Sequence, residues 1–269
     1  MKTLTQPGTG RTFRLGRRRP VARGPRLSLR NYLTADLPMP PPSGDYTRAA
    51  MEALGMIDLN DQLGDCVIAE MAHTEGVWTG NANPPPIAFT DSQLTSMYSA
   101  IGGYVPGDPS SDQGCDEVTA LNYWTETGFC GHKIAGWLAV DPALAATAVW
   151  LFENVMFGVE LPDAWISPMP GASGFTWGVS GDPDPDNGHS FLGCGWTTTN
   201  DIRVATWGML GTITAAAVAK YASTPSQGEL YTALSREAVG RATSKAPNGL
   251  DWAQLTADAA AIGMTIAAA

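Results

Sequence analysis

Three histidines and four cysteines are all that 269 residues offer for nucleophile, base or soft-metal chemistry. No CxxC pair occurs, and His73, His132 and His189 have no zinc-ligand spacing, so neither a metal nor a cofactor is expected. No apolar run approaches the roughly 18 residues of a membrane span. The N-terminus, "MKTLTQPGTGRTFRLGRRRP", has no apolar core of a secretory signal. The expected location is therefore cytoplasmic or inside a particle, with no membrane partner. Reduced thiols follow from that expectation. Cys115 and Cys130 bracket a helix-like segment that would hold them about 22 Å apart, too far for a disulfide.

Acid is absent from the first 35 residues. Lys2, Arg11, Arg14, Arg17, Arg18, Arg19, Arg23, Arg26 and Arg30 give that stretch nine bases, leaving seven bases against 26 acids for the remainder. A basic arm on an acidic body reads either as a solubilising tail or as an arm that docks on an acidic surface. That surface is the chain's own body, a protein-assembly partner met through residues 1–35, or nucleic acid. The arm holds a single phenylalanine and no aromatic interleaving, so base stacking is not suggested.

Residues 1–44, closing in "PMPPPSGD", read as basic arm and linker, and residues 45–269 as one domain. Within it a helical half is expected over about 45–152. "CVIAEMAHTEGVW" has near-helical apolar spacing, "TDSQLTSMYSAI" starts with Thr90 as N-cap, and "DEVTALNYWTETG" stops at Gly128. "DPALAATAVWLFE" is capped by Asp141, with Pro142 in the first position. A β-rich half is expected over about 153–225, from "VMFGVEL" and from "HSFLGCGW" and "IRVATWGML" joined by a turn. "SPMPGASGFTWGVSGDPDPDNG" reads as a long loop without regular structure, and about 226–269 as a helical extension ending in "DWAQLTADAAAIG". Helices first and strands later make an α+β chain.

The stretch "NDQLGDCVIAEMAH" places Cys66 directly at a helix start. Unpaired N–H groups and the macrodipole there favour a thiolate, the reactive form. The alternative is a small buried hydrophobe. A nucleophilic cysteine needs a base. His73 shares a helix face with Cys66 but rises about 10.5 Å from it, which suits packing. His132 reads as a surface or capping residue. His189 opens an apolar strand after a glycine-rich loop and is the best candidate. Cys194, at an odd offset from His189, reads as core. "DPDPDNG", with Asp182, Asp184 and Asp186, reads as a solvated acidic loop rather than a calcium site. Gly193 stands where an EF-hand needs glutamate. These acids could also favour basic substrates or receive the chain's own Arg-rich arm, and an arm lying in its own active site would be a propeptide-like inhibitor.

In their order, Cys66 at a helix start, His189 at a strand start and a hairpin into "TWG" resemble the papain-like cysteine peptidases. His189 lies 123 residues (189 − 66) after Cys66, close to that family's spacing. "FTDSQLTSMY", "GCDEVTALNYWTETGF" and "DPALAATAVWLFENVMFGVEL" are similar to further family segments, so the resemblance covers about 55–210. It implies a papain-like fold, a helical half carrying the cysteine and an antiparallel β half carrying the histidine. It implies Cys66 as nucleophile and His189 as general base, acting on a peptide or protein substrate through an acyl-thioenzyme. It also implies Asn60 or Gln62 as oxyanion donor beside the Cys66 N–H, and Trp207 as a shield over the histidine. The family's orienting asparagine falls on Ala205, which cannot bond an imidazole. Thr206 could replace it, but strand alternation is expected to turn Thr206 to the other face. A second reading is thus a non-catalytic papain-like scaffold, a binding or assembly protein of a bacterial or viral particle. A third is a nucleic-acid-associated protein driven by the arm.

Overall fold

The computed structural model describes residues 2–20 and 26–266. Arg23 of the arm lies outside them. The arm begins as a hairpin, β1 (Thr3–Thr5) paired antiparallel with β2 (Thr12–Arg14). After a short β3 (Gly44–Asp45) and one turn of helix, α1 (Met51–Leu54), the chain enters the long α2 (Cys66–Ala82). Two more helices follow, α3 (Asp91–Gly102) and α4 (Glu117–Glu126). Thr90 caps α3 reciprocally with Gln93, and Asp116 caps α4 through the Thr119 N–H.

The rest supplies the sheet and the helices that lie on it. In chain order these are β4 (Gly136–Ala139), α5 (Ala145–Phe152), β5 (Val155–Glu160), α6 (Asp163–Ile166) and β6 (Phe175–Trp177). Then come β7 (Gly188–Trp196), β8 (Ile202–Thr206), β9 (Met209–Ile213), α7 (Ala215–Tyr221), β10 (Glu229–Leu234), α8 (Arg236–Lys245) and α9 (Trp252–Ala261). The strand order is β4-β10-β5-β7-β8-β9-β6, with β3 on β7. All pairings are antiparallel except β6 with β9. β7 is buried along its whole length, because α2 covers one face and α5 packs against it as well.

Local expectations change: Asp141 makes no side-chain cap, and α5 begins only at Ala145, after a 3-10 turn over Pro142–Leu144. The supposed structureless loop contains β6, anchored by Trp177, which stacks on Trp165 at 4.8 Å. The sheet also reaches outside the β-rich stretch. β4 comes from the helical half, and β10, central between β4 and β5, comes from the supposed helical extension. Both are short apolar runs whose period does not separate strand from helix. "IRVATWGML" is two strands, not one. Trp207 (φ 55°) and Gly208 (φ 70°) form the turn between them.

The arm is part of the core. Leu4, Phe13, Leu15, Leu27, Leu29 and Tyr32 are buried with the sheet residues Phe157 and Phe191 and with Trp207 of the β8–β9 turn. The arm's bases meet the acidic body: Lys2 with Asp163, Arg11 with Asp61, Arg14 with Asp112, Arg17 with Glu229, Arg19 with Glu160, Arg26 with Glu229 and Arg30 with Asp141. Arg18 donates to the Gln113 carbonyl. Among the described residues no helix is long and apolar enough to cross a membrane.

Candidate active site

Cys66 is the first residue of α2 and His189 the second of β7. Because α2 lies on β7, the two line one small cavity, with Asn60, Glu70, His73, Ser190, Thr206 and Trp207 around them. The His189 ring is held on two sides. Its Nε2 lies 2.8 Å from the Thr206 hydroxyl, and Trp207 stacks over it at 4.6 Å. Nδ1 has no hydrogen-bond partner. With Nε2–H donating to Thr206, Nδ1 presents a lone pair, the form a general base requires.

The position of Thr206 departs from expectation, and the register explains it. Leu192 pairs with Ala205 across β7 and β8. His189 is an odd offset from Leu192, so Thr206, not Ala205, shares its face. Ala205 packs with Leu192 and Cys194 on the opposite side, where Cys194 is core.

Asn60 is buried beside Cys66, and its amide donates to the Arg14 carbonyl at 2.9 Å and the Leu63 carbonyl at 3.2 Å. Gln62 is exposed and does not line the cavity. His73 sits 3.2 Å from Asp58 and 3.1 Å from the Met56 carbonyl. His132 is exposed. In the acidic loop Asp182 pairs with Lys220 and Asp184 accepts from the Asp186 N–H. Among the described residues no three His, Cys, Asp or Glu side chains could hold a metal ion.

The chain's own Arg-rich arm lies against the site, a placement the sequence itself raises. Residues 14–18 run across it. The Arg14 N–H donates to the Asn60 carbonyl, Cys115 N–H to the Gly16 carbonyl, Arg17 N–H to the Gly188 carbonyl and Arg18 N–H to the Cys115 carbonyl. The passage is tight. A Cβ on Gly16 would stand 1.7 Å from the Gly64 carbonyl oxygen, and one on Gly188 2.2 Å from the Arg17 oxygen. About 10 Å³ remains free, roughly one water. A larger cavity of about 800 Å³, bordered by Pro20, Arg26, Asp141 and Glu229, contains neither cysteine nor histidine.

Under this cover the pair is neutral. Burial pushes the Cys66 thiol up to about 12, against backbone hydrogen bonds from Gly16 and Ser190 that favour thiolate, with Glu117 and Asp65 adding to the rise. Burial takes His189 down to about 3.

Buried carboxyls lie behind the site. Glu70 accepts from the Phe157 N–H and Glu117 from the Ser190 hydroxyl. Burial, then the nearby Glu229, raises Glu117 to about 7. A carboxyl raised on folding stabilises below its unfolded value, about 4.3, and that contribution fades as pH climbs through 7. Glu117→Gln keeps the acceptor for Ser190. It is expected to gain on the native chain in urea unfolding as pH rises from about 5 to 8. A constant offset over that window would show that Glu117 is ionised throughout.

No family model matches this sequence, and no curated protein does. Among solved structures, xylellain, a cysteine protease from Xylella fastidiosa, matches with a TM-score of 0.63 at 11% identity, over 87% of this chain and 98% of that one. A structure from work on the mite allergens Blo t 1 and Der p 1 matches at 0.52 and 12% identity, over 80% and 75% of the two chains. The ragweed pollen allergen Amb a 11, a cysteine protease in its proform, matches at 0.51 and 14% identity, over 75% and 67%.

Proposed function

From the papain-like fold of this chain, we propose a cysteine hydrolase of peptide or amide bonds whose intact form is closed by its own basic arm. One observation carries the reading. A helix-start thiol and a buried imidazole line one cavity, and the imidazole is bonded at Nε2, stacked by Trp207 and unpartnered at Nδ1. In this reading Cys66 attacks the carbonyl and His189 takes the thiol proton and returns it to the leaving amine. The Cys66 N–H and the Asn60 amide face the oxyanion once the Arg14 carbonyl has left. Water then releases the acyl group.

A silent scaffold is the second reading. It is favoured by the neutral pair and by the lack of space above it.

Iodoacetamide labelling across about pH 4 to 9, located by mass spectrometry, separates the two when the arm is displaced by Gly16→Val. A hydrolase gives fast labelling of Cys66 that persists below about pH 7 and shifts in Gly16→Val/His189→Ala. Labelling that rises only near pH ~8.5, unchanged by the histidine substitution, supports the scaffold.

A further inference from the structure

One arm side chain goes deeper than the others. Arg17 has a side-chain exposure of 0%, whereas Lys2, Arg14, Arg19 and Arg30 keep 37%, 39%, 55% and 64%. Its Nη2 donates to the Glu229 carboxylate at 2.8 Å and to the Gln227 carbonyl at 2.9 Å. Glu117 is the second acid beside it, and the Arg17 charge acts to lower that carboxyl. Gly158 of β5 is the floor. A Cβ there would stand 2.9 Å from Arg17 Nε, 3.0 Å from Glu229 Cγ and 3.1 Å from Glu117 Cγ. β5, β10 and the first turn of α4 thus build a slot with carboxylate walls and a depth set by a glycine. Covering Cys66 requires no such slot. Gly16 already does so through its own backbone. The slot opens one residue from the position over the thiol, since the Arg17 N–H donates to the Gly188 carbonyl next to His189.

We infer that this slot is the specificity pocket of the proposed hydrolase, that it selects arginine side chains, and that Arg17 fills it in place of a substrate's guanidinium. The inference rests on the hydrolase reading. A neutral side chain there would remove the nearest charge from Glu229 and leave it only the Tyr231 hydroxyl and Arg26, at 3.7 Å, which is unfavourable for a buried carboxylate. A lysine ammonium is a compact point charge, whereas the planar guanidinium bonds Glu229 through Nη2 and keeps Nε and Nη1, which have no hydrogen-bond partner, within the same slot. The matching substrates are peptides or amides with an arginine next to the residue over Cys66.

The test uses the full chain with Arg17→Ala, which empties the slot. Cys66 alkylation is expected to accelerate at least tenfold over the native chain. N-acetylarginine amide should then slow it again in a saturable way. N-acetylcitrulline amide, of the same shape but uncharged, should need at least tenfold higher concentration. Glu229→Gln with Arg17 present is the second variant. It should also speed alkylation, and arginine amide should not reverse it. Equal protection by the two amides, or protection that survives Arg17→Ala/Glu229→Gln, would overturn the pocket. Selective protection without hydrolysis of any arginine amide by Arg17→Ala would uphold the pocket and count against the hydrolase reading.

Discussion

Gly16→Val in the full chain is expected to speed alkylation of Cys66 about a hundredfold at about pH 7.5. The thiol titrates at about 12 under the arm. At that pH it carries roughly 10⁻⁴·⁵ of its thiolate, against about 10⁻¹ for an unperturbed cysteine. A less basic thiolate is a weaker nucleophile, with a Brønsted slope of about 0.4–0.5, so some of the gain of about 3.5 log units is lost. About two log units remain. The physical cause is the distance of 1.7 Å between a Cβ on Gly16 and the Gly64 oxygen, part of a rigid backbone. The arm has to lift, and water then reaches both members of the pair. His189 should move with Cys66, from about 3 towards its ordinary value near 6.5, as its C–H proton shifts in an NMR titration would record. An unchanged alkylation rate, with the variant folded, would mean that the arm does not control access to the thiol.

The second large effect belongs to Thr206. In the Gly16→Val background, Thr206→Val removes the hydroxyl on Nε2 while keeping its volume. The His189-dependent part of the alkylation rate is expected to fall about tenfold to a hundredfold. The lower figure is the worth of one hydrogen bond. The upper one adds the loss of the tautomer that leaves Nδ1 free. Thr206→Ser, which keeps the hydroxyl, should retain most of the rate. Equal rates for the valine and serine variants would assign ring placement to the Trp207 stack alone.

The helices of this chain were legible because their signals are local. Thr90 before α3, Gly128 after α4 and the apolar spacing after Cys66 all act within a few residues. The order of Cys66, His189 and "TWG" pointed to the fold that the solved structures share. What stayed hidden depends on pairing across the chain. Thr206 was set against His189 by the Leu192–Ala205 register, which no single strand carries. β10 is a strand because β4 and β5 stand on either side of it, not because its six residues alternate. Arg17 looked like one base among nine. Only the fold distinguishes it, by bringing Glu229, Glu117 and Gly158 together from three separate elements.

The arm's place in the core also sets a timetable. Gln6 reaches Met209 and Arg17 reaches Glu229, a partner 212 residues later in the chain. During synthesis the arm leaves the ribosome before β7 and β10, which complete the cleft. The segment that closes the site therefore exists before there is a site to close. Each newly made molecule assembles its thiol–imidazole pair with the covering strand already at hand. In the hydrolase reading an open cleft is a state reached only afterwards, by moving Leu4, Phe13 and Leu15 out of the packed interior. Such a step has the heat-capacity signature of partial unfolding rather than of a tail coming loose.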